Sequence, residues 1–123
     1  MTAEAAEDFS QASLFIRSCS FAETHFGLNV NECNAPGAPA RWGPVTPGAH
    51  SPNSFHYRGR AADLVGSEAD MQRFVRWAID THLGDLAELI HNPGGSVDSG
   101  HRVPPSFWGS VWGRHKGHVH FAI

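Results

Sequence analysis

A chain of 123 residues fits one domain around one hydrophobic core. Its 41% hydrophobic and 17% charged residues give a globular composition, and a net charge of −3 argues against a general nucleic-acid binder, which would normally show a basic face. No apolar run approaches the roughly 18 residues of a membrane span, and the acidic start MTAEAAEDF lacks an apolar signal core, so neither membrane insertion nor a secretory signal is expected.

In chain order, Asp8 with Gln11 reads as a capping box for a first helix. That helix carries Phe9, Ala12, Ile16 and Cys19 on one face and ends near Gly27. "LNVNEC", residues 28–33, follows as a short strand. Cys19 and Cys33 are not spaced as a CxxC motif and read as two small buried residues rather than a disulfide framework. Residues 34–53 hold five prolines and three glycines, which predicts an ordered loop forming a wall of any site that follows it.

"RAADLVG" reads as a strand with Ala61, Asp63 and Val65 on one face and Ala62 and Leu64 on the other. Ser67 with Asp70 caps a second helix, whose Met71, Phe74, Val75, Ala78 and Ile79 recur at helical spacing and whose end suits Gly84. "LAELIHN", residues 86–92, reads as a strand, 93–113 as a Pro/Gly/Trp-rich loop, and "HVHFAI" as a closing strand. The stop at Ile123 suggests a domain boundary, with residues 1–123 forming a single domain, alone or as one module of a longer protein. Helices mixed with short strands predict an α+β fold, a small antiparallel sheet with helices packed on one face.

Histidine is the unusual residue, with nine in all, three of them within the last nine positions. On a strand, His118 and His120 present their imidazoles on one face. If their strand neighbours the one bearing Asp63, then His56, Asp63 and one of the two histidines converge. Two imidazoles and one carboxylate form a usual catalytic zinc set, with the fourth position left for water.

Ser54-x-His56-x-x-Gly59-x-Ala61-x-Asp63 resembles, at every fixed position, the motif of the D-Ala-D-Ala carboxypeptidase-like zinc peptidases, which share fold and metal site with murein endopeptidases and the hedgehog signalling domain. His118-Val119-His120 is similar to that group's C-terminal HxH. "HYRGRAADL", "ELIHNPGG", "PPSFWG" and "HVHFAI" further resemble peptidase modules of mycobacteriophage-type endolysins and tape-measure proteins. The resemblance spans roughly residues 28–123.

The resemblance implies Zn2+ held by His56, Asp63 and His120. It places His118 beside the metal, where it stabilises the oxyanion or orients a ligand, and Ser54 in hydrogen-bonded support. Gly59 permits the turn between the two ligands, and Arg60 contacts substrate or flanks the motif. The family's acidic residue shortly before HxH is missing from "WGRHKG". Glu88 is therefore the expected general base, since burial in an apolar strand would raise its pKa, with His115 as runner-up. The family's arginine in an "SGYR"-like stretch is also absent, because "NVNECN" stands there. Trp108 and Trp112, with Phe107, line a substrate groove or form the small core of their own loop. His91, odd in register with Glu88, reads as structural, and His25, His50, His82 and His101 as surface or loop residues.

The implied function is hydrolysis of a peptide bond in bacterial peptidoglycan stem peptides or cross-links by a monomeric phage endolysin domain. The lack of a signal peptide suits a lysis protein released through a separate pore, or a module of a virion protein. A non-catalytic zinc module of the same fold and a structural virion segment are the competing classes.

Overall fold

The computed structural model describes residues 13–123. The capping pair expected at Asp8 and Gln11 lies outside them. Within them, helix α1 (Leu14–Phe26) is capped by Ser13, whose hydroxyl accepts from the Ile16 amide at 3.2 Å. It ends at Gly27 in the left-handed region, as expected. Helix α2 (Glu68–His82) begins at Ser67, whose hydroxyl accepts from the Asp70 amide. It ends two residues before Gly84, which falls inside a 3-10 turn over Leu83–Asp85.

The strands are β1 (Asn29–Asn31), β2 (Ala61–Val65), β3 (Glu88–His91), β4 (Gly95–Asp98), β5 (His101–Arg102) and β6 (Val119–Ala122). They form one open sheet in the order β1-β2-β6-β3-β4-β5, with every neighbouring pair antiparallel. The molecule is thus α+β, with a small antiparallel sheet. The last strand of the sequence lies in the middle, between the strand bearing Asp63 and the strand bearing Glu88.

One correction concerns residues 93–113, expected as a loop without regular structure. They contain β4, β5, a 3-10 turn over Pro105–Trp108 and a short helix α3 (Ser110–Gly113). Ser99 and Gly100 both have positive φ, 49° and 80°, and join β4 to β5 as a two-residue hairpin turn. The ladder there is built from backbone hydrogen bonds on a stretch with little apolar alternation, so the pattern of side chains does not announce it.

Strand alternation sorts the sheet into two faces. Ala62, Leu64, Leu89, Val97, Val119 and Phe121 face α1 and α2 and form the core with Phe15, Ile16, Cys19, Met71 and Phe74. Phe121 stacks on Phe15 at 5.7 Å and meets Phe74 edge-on at 5.3 Å. Burying each such side chain contributes about 1.5–3 kcal/mol. Cys19 and Cys33 are buried free thiols, and burial pushes both pKa values up. No described helix is long and apolar enough to cross a membrane.

The opposite face carries the polar residues, and one glycine shapes the chain leading to it. Gly59 ends the 3-10 turn Phe55–Arg58 with φ 67°, and a Cβ there would sit 3.2 Å from both Ala35 Cα and Asn34 O. Gly59→Ala is therefore expected to cost about 1–2 kcal/mol from the left-handed backbone alone, with crowding added. Urea unfolding of the metal-free protein would read the loss.

Candidate metal centre

Asp63 and His120 are direct cross-strand partners on β2 and β6, and Ile90 faces His120 from β3. Glu88, two residues before Ile90, shares that face. His56 arrives from the 3-10 turn before β2. Ser54 caps this turn, its hydroxyl accepting from the His56 amide at 3.2 Å. Ser54 thus holds the local backbone of the histidine it was expected to support.

Three donor atoms meet. His56 Nε2 lies 3.3 Å from Asp63 Oδ1 and 3.2 Å from His120 Nδ1, and His120 Nδ1 lies 3.8 Å from Asp63 Oδ1. A tetrahedral ion with donors near 2.1 Å spaces them by roughly 3.4 Å, so the three match the edges of such a site. His118 Nε2 stands at the margin, 3.9 Å from Asp63 Oδ1.

The outer nitrogens are also engaged. His56 Nδ1 donates to the Glu32 carbonyl at 2.8 Å, which turns Nε2 toward Asp63 and His120. His120 Nε2 donates to Glu88 Oε1 at 2.8 Å, which orients the ring with Nδ1 inward. His56 is 1% exposed and His120 7%, so neither ring is free to swing in solvent.

A second set overlaps the first. His50, His56 and Asp63 each offer one donor atom, all within 4.8 Å of one another, and together could hold a metal ion. His50, expected as a surface or loop residue and not as a ligand, does lie on a loop, but its ring stands at the site. Its Pro-rich loop does form a wall, as expected. The His50 amide donates to the Tyr57 hydroxyl at 3.1 Å, and Thr46 N and Oγ1 donate to the Glu32 carboxylate at 2.7 and 2.6 Å. Sequence reasoning missed Glu32 altogether. Its φ of 57° lies in the left-handed region, which no side-chain pattern reveals.

His50, His56, Asp63, Glu88, His118 and His120 border an open cleft of about 530 Å³, also lined by Ile90, Trp108, Val111, Arg114 and His115. Among the described residues lining it, Asp63 and Glu88 are the carboxylates. Trp108 forms part of the wall, its indole donating to Ser96 Oγ at 2.8 Å, and Phe107 packs edge-on against it while 54% exposed. Trp112 does not line the cleft. Arg60 does not either. Its Nε donates to the Ile123 carbonyl at 2.8 Å and its guanidinium covers the Phe55 ring. His91 faces the opposite way, bonded to the His118 carbonyl and to Glu68 on α2.

Burial alone would raise the Asp63 pKa. The imidazoles of His120 and His56 beside it outweigh burial and hold the carboxyl well below the usual range. For His120 burial favours the neutral ring, yet the carboxylates of Asp63 and Glu88 beside it push its pKa up to about 8. Burial lowers the pKa of His115 and of His118, so both rings are neutral at pH 7. His115 Nδ1 donates to the Val111 carbonyl at 2.7 Å, which leaves Nε2 able to accept a proton.

Without metal, a proton on His120 Nδ1 lies where the ion would. A folded-state pKa of about 8 exceeds the ordinary value of 6.5, so this contribution to stability is full below pH 6.5 and fades as pH rises through 8. It amounts to about 2 kcal/mol, and it is the same pairing that lowers Asp63, so the two are not summed. Chelator-treated protein is expected to lose that stability between pH 6.5 and 8.5 in urea titrations. A flat profile would place the proton elsewhere.

No protein-family model matches this chain, and comparison with curated proteins and with solved structures gives no match either.

Proposed function

We propose that this chain is a zinc-dependent peptidase of the D-Ala-D-Ala carboxypeptidase-like class, with the hedgehog-type fold that the motif order implies. Its substrate would be a peptide bond in bacterial peptidoglycan stem peptides or cross-links, and its context a phage endolysin. The observation that carries the reading is the meeting of His56 Nε2, Asp63 Oδ1 and His120 Nδ1 at ligand spacing in an open cleft. The donor set of two imidazoles and one carboxylate is that of a catalytic zinc site.

When bound, zinc supplies a Lewis acid for the scissile carbonyl and lowers the pKa of a coordinated water to about 7. The chain supplies the rest. Glu88 holds His120 through Nε2 and, as the second carboxylate of the cleft, takes the proton of the attacking water and returns it to the leaving amine. His115 is the alternative acceptor, with its free Nε2 in the same cleft. His118, kept neutral by burial, donates a hydrogen bond to the developing oxyanion. Trp108, Ile90 and Val111 give the cleft an apolar wall for the aliphatic parts of a stem peptide.

The test is digestion of purified peptidoglycan by zinc-loaded protein, with products read by mass spectrometry. New amino termini that vanish with chelator support the reading, and intact stem peptides refute it. A non-catalytic zinc module of the same fold is the second reading. It is favoured by His50, which brings a further imidazole to the same carboxylate.

A further inference from the structure

His50 sits over the metal centre in a defined way. Its ring lies 3.9 Å from that of His56, nearly parallel at 12°. Its Nε2 is 3.3 Å from Glu32 Oε2. A carboxylate acceptor at Nε2 fixes the proton there and leaves Nδ1 with a lone pair. His120 is arranged the same way, with Glu88 at Nε2 and Nδ1 turned inward. Three histidines around Asp63 thus each have one nitrogen tied to an oxygen and the other left to bind.

Glu32 ties this together. Its carbonyl sets the tautomer of His56, while its carboxylate holds both His50 and Thr46 on the proline-rich loop. One residue therefore couples the position of the loop to the orientation of a ligand.

We infer that His50 is a displaceable fourth ligand of the metal centre, and that its position sets whether the site is open or latent. Stacked on His56, the ring leaves the fourth position to solvent and substrate. Because the two rings are parallel, His50 must turn about its side-chain bonds to aim Nδ1 at an ion shared with His56. In that second position the centre has four protein ligands, the closed form typical of structural zinc, instead of the three that leave room for chemistry. The inference rests on the metallopeptidase reading for the ion itself and adds regulation of the same site.

His50→Phe keeps a flat ring to stack on His56 and removes both nitrogens. Zn2+ and Co2+ alone serve as probes. The variant is expected to bind Zn2+ at least about tenfold more weakly. Its Co2+ form should lose visible absorption as a protein donor is replaced by water, and its hydrolysis at saturating zinc should rise. A variant that matches the wild type in Zn2+ affinity and Co2+ spectrum overturns the inference and leaves the peptidase reading standing. Failure of the wild type to take up either metal overturns both. The wild type also gives a direct readout, since the His50 Nδ1 resonance in long-range 1H–15N spectra should move on zinc addition. If it stays in place while those of His56 and His120 move, His50 is not a ligand.

Discussion

Asp63→Ala is expected to abolish zinc binding and hydrolysis together. Asp63 Oδ1 lies 3.3 Å from His56 Nε2, 3.8 Å from His120 Nδ1 and 3.9 Å from His118 Nε2, so it is the negative charge on which the imidazoles converge. Changes to residues that merely support ligands cost about 10–100-fold in metal affinity, and loss of the only carboxylate among the proposed ligands should cost at least that. The metal-free protein should also suffer, because His120 would keep a proton in a buried place with Glu88 as its remaining carboxylate. Competition with a chelating indicator measures the first effect and peptidoglycan digestion in excess zinc the second. A variant that still holds one tight zinc would show that the ion is bound elsewhere.

Glu88 gives the second large effect, and here two substitutions separate two roles. Glu88→Gln keeps an oxygen that can accept from His120 Nε2 but cannot take a proton. Glu88→Ala removes both. If Glu88 is the general base, the glutamine variant should keep zinc affinity near that of the wild type and lose about 10²–10⁴-fold in turnover. The alanine variant should lose turnover and metal affinity alike. A glutamine variant with near-normal turnover would make Glu88 a positioning residue for His120 and shift the proton to His115, whose Nε2 is free. Running both variants with His115→Ala distinguishes these cases.

Much of this was legible in the sequence, for physical reasons that differ by element. Helix α2 could be read from both its cap and its stripe, because Ser67 and the Met71-to-Ile79 spacing report the same boundary and the same buried face. The meeting of Asp63 with His120 followed from strand alternation once β6 was taken to neighbour β2. Sequence could state that condition without establishing it, since strand order depends on long-range pairing. The hairpin of β4 and β5 left only the Ser99-Gly100 turn as a signal, within a stretch whose glycines and prolines suggest a loop. Glu32 and His50 left no pattern at all. Their roles come from a left-handed backbone residue and a loop folded back over 18 positions of chain, and neither has a period to detect. Arg60 and Trp112 are the reverse case. Proximity in sequence to the motif and to Trp108 suggested the site, but the Arg60 side chain is bound to the Ile123 carbonyl and Trp112 lies off the cleft.

The most direct measurement is the location of the ion. Crystals of the full chain grown with zinc and measured at the zinc absorption edge should show one anomalous peak bound by His56 Nε2, Asp63 Oδ1 and His120 Nδ1. Its fourth position should be filled by water or by His50. A peak bound by other residues, or no peak in protein that is otherwise ordered at Asp63, would contradict the metal centre and the peptidase built on it.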